Sequence, residues 1–189
     1  MRHSWLQLFA LVPVLLSGHA GAELRQSVEY EPYPLYALGT GRLADDLNRA
    51  SPIREQGKIF YGYTSCHTRW DYRWNSAPSG ECRIASSLTT VRCVVQLPQL
   101  IQATPAKKAR FDVFLPRLKE HELGHVQIGT DAAARIDQRI MGMPAAASCD
   151  ALEAAINRET ALITSNAAQA QRDYDLRTGY GRSQGAFLD

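Results

Sequence analysis

The sequence predicts an α+β domain in which a small antiparallel sheet packs on two long antiparallel helices. Three observations carry this. Residues 67–74 alternate apolar and charged side chains, the period of a half-buried strand. From about Pro105 the apolar residues recur at steps of three and four, the period of a helix. Gly142 and Pro144 divide that stretch in two, and a short connection makes the two helices antiparallel neighbours.

The chain opens on a processing segment. Arg2 and His3 form a polar head, 6–16 is an apolar run too short to span a bilayer with ease, and Ala20-Gly21-Ala22 supplies a cleavage site after Ala22. A signal peptide of residues 1–22 leaves 189 − 22 = 167 residues. That length suits one core and one domain, residues 23–189. The removed segment holds one Arg and no acid, so the mature chain carries 20 basic and 19 acidic residues, or +1. This balance argues against a nucleic-acid groove and a membrane-binding patch. No other apolar run is long enough for membrane insertion after signal cleavage. The expected location is periplasmic or secreted, where disulfides persist. Cys66, Cys82, Cys93 and Cys149 form no C-x-x-C pair, so two bridges are expected rather than a thiolate metal site, and three pairings remain open.

In the mature chain, Val28 to Leu35 alternates loosely, and Pro32 and Pro34 confine it to an edge strand or an extended entry segment. Leu43 to Ala50 is a short amphipathic helix stopped before Pro52. Lys58 to Tyr63 and His67 to Trp74 read as strands, Asn75 to Gly80 as a turn, and Cys82 to Thr89 and Val91 to Leu97 as two further strands ending at Pro98. One long helix runs from about Pro105 to Met141, and a second from Cys149 to about Arg172. The tail from Tyr174 is punctuated by glycine and expected to be irregular.

The first long helix carries His121-Glu122-Leu123-Gly124-His125, or H-E-x-x-H. Positions i and i+4 share a helix face, so both imidazoles can aim at one point. They fall near the apolar stripe of Phe114, Leu118, Val126 and Ile136, where an unpaired polar ring is costly. Two neutral nitrogens on Zn²⁺, with Glu122 beside them to take a proton from a water, is the logic of a zinc hydrolase. Gly124 and Gly129 mark either close packing or a break in the helix.

Four groups of residues resemble a bacterial family of exported proteins described as zinc-dependent proteases, the domain of unknown function 922 family. They are Gly62-Tyr63-Thr64 with Trp70-Asp71-Tyr72, then Cys82-Arg83-Ile84 with Leu97-Pro98, the segment 121–128, and the tail 174–181 with Gln184-Gly185-Ala186 behind it. The resemblance implies a zinc-dependent peptidase with a peptide or protein substrate. It also implies a Cys82–Cys149 bridge, leaving Cys66 with Cys93. In the family, the position of Tyr180 is usually a histidine within T-x-H-G, and this sequence departs from it.

Zinc catalysis needs a third protein ligand. Asp131 serves if the helix breaks near Gly129; if the helix continues, it lies about 15 Å along the axis from His121. Its run of alanines favours continuation, with Asp131 paired to Arg158 across the helices. Glu153 and Glu159 fall too near the interhelical turn, whereas the tail returns to the motif. The sequence therefore assigns His121, His125 and Tyr180 to the metal, with Tyr180 as a phenolate ligand or an oxyanion donor, and Glu122 as general base. A zinc hydrolase of a cell-wall amide or ester, and a non-catalytic envelope binding protein, are the competing readings.

Overall fold

A computed structural model describes residues 21–55 and 57–188. The expected signal peptide, residues 1–22, lies almost wholly outside them. The elements are β1 (Ala22–Ala37), α1 (Leu43–Ala50), β2 (Arg54–Glu55), β3 (Lys58–Ile59), β4 (Tyr63–Ser76), β5 (Cys82–Ala103), α2 (Pro105–Met141) and α3 (Cys149–Thr178), then a 3-10 turn at Arg182–Gln184. The fold is α+β, with a small three-stranded sheet of order β1-β5-β4, three helices among the described residues, and a β2–β3 ribbon.

The sheet is mixed, not antiparallel. The short turn after Ser76 makes β4 and β5 antiparallel, but β1 runs parallel to β5 on its other side. A chain that leaves β1 through α1 and the ribbon reaches the far edge before it turns back. β1 is an edge strand, as Pro32 and Pro34 require. The two strands expected on either side of Thr90 are one strand, because no turn residue separates them. That strand also passes Pro98. β4 pairs with β5 only as far as Gln96, so the missing N–H of Pro98 has no second strand to face. Of the strand expected at Lys58 to Tyr63, only Lys58–Ile59 and the first residue of β4 are extended and paired.

α2 begins where Thr104 Oγ1 accepts from the Lys107 N–H and Pro105 needs no partner. It covers one face of the sheet, burying Val91, Val95, Phe111 and Phe114 with Leu35 of β1 and Leu47 of α1. Lys107 ties α1 to α2 through Asp46 and the Gly39 carbonyl, which its ammonium meets at 2.7 Å. A second apolar cluster joins Ile136 and Ile140 of α2 to Leu152 and Ile156 of α3. Arg139 pairs with Glu159 at 2.9 Å across the two helices. α2 does not break at its glycines. A Cβ at Gly129 would come within 2.7 Å of Cys66 Sγ, and one at Gly124 within 2.1 Å of the Tyr174 hydroxyl oxygen. Both positions mark close packing.

The disulfides are Cys66–Cys93, across β4 and β5, and Cys82–Cys149, which fastens the start of β5 to the start of α3. The second closes a separation of 67 residues, and a bridge of this kind contributes about 2–4 kcal/mol. Both fit an exported protein. No described helix is long and apolar enough to cross a membrane.

α3 runs to Thr178, six residues past Arg172. Nothing between Arg172 and Thr178 opposes a helix, and Gly179, at φ 57°, supplies the left-handed cap that ends it. The segment expected to be irregular therefore starts as about one and a half further turns of helix.

Candidate metal centre

His121 is buried and His125 nearly so, on the face of α2 turned toward α3. Their outer nitrogens are both engaged. His121 Nδ1 lies 2.9 Å from Gln184 Oε1, and His125 Nδ1 is hydrogen-bonded to Gln171 Oε1. The amide orientations follow from the remaining partners. Gln171 Nε2 donates to the His125 carbonyl at 3.0 Å, so its oxygen must face the ring. Tyr174 uses its one hydroxyl proton on the His121 carbonyl at 3.2 Å and accepts from Gln184 Nε2 at 3.0 Å. The Gln184 oxygen therefore faces His121. A carboxamide oxygen only accepts, so each Nδ1 carries the proton and each Nε2 keeps its lone pair.

Both Nε2 atoms point at one carboxylate oxygen. Asp175 Oδ1 lies 3.2 Å from His121 Nε2 and 2.9 Å from His125 Nε2. The three ligand atoms all fall within 4.8 Å of one another. A cation between these three acceptors, a proton or a metal ion, would satisfy all of them. Tetrahedral zinc, with donors at about 2.0–2.2 Å, spaces its ligands about 3.3–3.6 Å apart, wider than the 3.2 and 2.9 Å at which Asp175 Oδ1 meets the two imidazoles, so the groups would move apart slightly to admit it. The donor chemistry, two imidazoles and one carboxylate, suits the same ion. The Tyr174 ring buttresses the pair, stacked on His121 at 5.0 Å between centroids and edge-on to His125 at 4.9 Å.

Asp175, not Tyr180, is the residue that the structure brings to the two imidazoles. The continuation of α3 past Arg172 carries Asp175 opposite the motif, and the Gly179 cap then swings Tyr180 aside. The Tyr180 ring is 43% exposed, packs against Phe60 at 5.6 Å and lies under the Lys58 ammonium at 5.3 Å. Asp131 stays on the outer face of the unbroken α2, where it accepts from Gln127 Nε2 at 2.8 Å rather than pairing with Arg158.

Glu122 is buried beside the histidines and accepts from Thr64 Oγ1 at 2.7 Å through Oε2. Burial pushes its carboxyl above the ordinary range, and the Thr64 hydroxyl and the two imidazoles only partly offset this. Gly62 makes room for it, since a Cβ there would approach Glu122 Oε1 to 2.4 Å. The same cavity, about 980 Å³, holds His121, Glu122, His125, Asp175 and Tyr180.

Sequence reasoning missed Asp175, Gln171, Tyr174, Gln184 and Thr64. A signal for two of them was present. Gln171 and Asp175 stand at i and i+4, the spacing of His121 and His125, and share a face once the helix is continued past Arg172.

The electrostatics predict an acid-stabilised metal-free protein. Burial lowers the affinity of His125 for a proton, but hydrogen bonds to Asp175 and Gln171 win and raise its pKa. Burial works against ionisation of Asp175, yet the two imidazoles hold its carboxyl well below the usual range. The raised imidazole adds stability below about pH 6.5, lost as pH rises through the folded value; the lowered carboxyl adds stability above about pH 3.9, lost on acidification. Chelator-treated protein should therefore melt at a higher temperature at pH 5.5 than at pH 8.5. Asp175→Asn should reduce that difference, leaving the share that comes from the buried, raised Glu122 carboxyl. Equal melting points in the unsubstituted chain would show that the cluster is not electrostatically coupled.

Nothing among curated proteins or solved structures matches this chain. One family model does, that of a bacterial protein of unknown function (DUF922), over residues 30–181. The match takes in all of β4, β5, α2 and α3, and with them His121, Glu122, His125 and Asp175. With that span covered, the chain belongs to the DUF922 family of bacterial proteins.

Proposed function

We propose that the protein is an exported zinc-dependent hydrolase, periplasmic or secreted, whose substrate is a peptide. The observation that carries this reading is the convergence of His121 Nε2, His125 Nε2 and Asp175 Oδ1, with both imidazole tautomers held by glutamine oxygens. In this reading α2 is a zincin-like helix. Bound by these three side chains, Zn²⁺ would keep a fourth position open and supply Lewis acidity to a substrate carbonyl and a water.

The chain's own groups then have distinct tasks. Glu122 takes a proton from the attacking water and returns it to the leaving amine. Its raised pKa suits both halves of that exchange, and Thr64 orients it by holding Oε2 while leaving Oε1 free. Gln171, Gln184 and Tyr174 keep the two imidazoles in register. β4 lines the cavity and is an edge strand, so an extended peptide can add main-chain hydrogen bonds to it. Tyr180 furnished the sequence's argument for a non-catalytic binding protein. With Asp175 available as third ligand, that argument loses its ground.

Hydrolysis of fluorescent casein by the mature protein tests the reading. Activity is expected to vanish on dialysis against a chelator and to return with about one equivalent of Zn²⁺ per chain, one ion per three-ligand site. Activity indifferent to chelation, or absent from zinc-loaded protein on protein and peptide substrates alike, would defeat it.

A further inference from the structure

The cavity around the metal centre is much larger than three ligands and a base require. It continues past His125 along the groove between α2 and α3. α2 forms the floor, and β4 and α3 form the walls. Each wall packs on α2, and the two hardly meet. Beyond His125 the floor is Gly129, Ala132 and Ile136, which continue at steps of three and four the face that carries the histidines. α3 contributes Thr164, Ala167 and Ala168. Trp70 of β4 and Ile136, both packed in the second apolar cluster, form the far end. The small side chains of Ala132 on α2 and of Ala167 and Ala168 on α3 keep this lobe open.

Length and charge describe what fits there. From His125 to Ile136 is 136 − 125 = 11 residues, or about 16 Å of helix. An extended chain covers that distance with about five residues at roughly 3.3 Å each. Among the described residues, the lobe has no titratable side chain in its lining. The cavity's other charged groups, Glu55, Lys58 and Arg182, sit with Phe60 and Tyr180 on the opposite side of the centre. A charged side chain entering the lobe would lose water and gain no partner, while a bulky apolar one would gain by burial.

We propose that this lobe is a specificity subsite, and that the substrate is an extended peptide bearing bulky, uncharged apolar side chains on the side of the scissile bond that lies along Gly129 to Ile136. The proposal rests on the zinc-hydrolase reading and narrows its substrate class.

Isothermal titration of the zinc-loaded protein separates the two. Acetohydroxamate, a bare zinc-binding group, reports on the centre. Hydroxamates carrying a Leu-Leu-Phe arm, built in either chain direction, report on the lobe, with Asp-Asp-Glu arms as their acidic counterparts. One Leu-Leu-Phe compound is expected to bind at least about tenfold more tightly than both acetohydroxamate and its acidic counterpart, a gain readily resolved as affinity. Ala132→Glu and Ala168→Glu each bring a carboxylate into the lobe and should erase that gain while leaving acetohydroxamate binding unchanged. Ala168 is exposed, so its substitution leaves the core intact. Equal binding of apolar and acidic arms, or a gain that survives in both variants, overturns the subsite and leaves the zinc centre standing. A native protein that binds neither zinc nor acetohydroxamate overturns the zinc reading itself.

Discussion

Alanine at position 175 should strip the centre of zinc. Asp175 Oδ1 is the point on which both Nε2 atoms converge, so its removal takes away one of three candidate ligands and the only anionic one among them. Outer partners such as Gln171 cost about 10–100-fold in metal affinity when removed, and loss of the ligand itself should exceed that range. Metal analysis and competition with a chromogenic chelator give the comparison. The expected order of loss is Asp175→Ala above Gln171→Ala, with Tyr180→Phe close to the unsubstituted protein. The order matters more than any single value, since it separates ligand, outer partner and bystander. A Tyr180→Phe protein that loses more zinc than Asp175→Ala would restore Tyr180 as the ligand. Circular dichroism of each chelator-stripped variant, compared with the unsubstituted chain, provides the control for folding.

Glu122→Gln should leave zinc in place and lower hydrolysis by roughly 10²–10⁴-fold, the usual contribution of a positioned acid or base. Glutamine nearly matches the shape of the buried side chain and can still accept from the Thr64 hydroxyl, so the fold has little to lose. What it cannot do is hold the transferred proton. Zinc content measured on the same sample makes the result decisive. Full zinc with full activity would show that hydrolysis, if any, does not pass through Glu122. Lost zinc would mean that Glu122 supports the ligands rather than the proton transfer.

Local chemistry was legible in the order of residues. α1 and α2 run where periodicity and the stops at Pro52, Gly142 and Pro144 put them, because such residues act on their own neighbours. The strand around Trp70 was legible for the same reason, its alternation being a property of consecutive side chains. The sheet's parallel edge was not. Whether β1 lies beside β5 with or against it depends on how the chain crosses between edges, which no window of residues records. The end of α3 was misread because Tyr174 to Thr178 looks like a tail only when glycine is weighed ahead of the helix-compatible residues before it. That misreading put Tyr180 opposite the histidines, where the structure places Asp175.

By itself the sequence determined an α+β chain, two long helices, the His121 and His125 pair on one face, and, through its family resemblance, which cysteines join. Each of these is settled by residues a few positions apart or by a motif. Only the tertiary structure decided what meets the pair. His121 and Asp175 stand 54 residues apart in sequence, by 175 − 121, and Thr64 reaches Glu122 across a separation of 58. Contacts of that span follow from the angle and register at which α3 and β4 pack on α2. A helix displaced by one residue turns about 100°, since 3.6 residues complete a turn, and would aim a different side chain at the histidines. Close packing at Gly124 and Gly129 sets that register, which is why the ligand set is a property of the packed molecule and not of the motif.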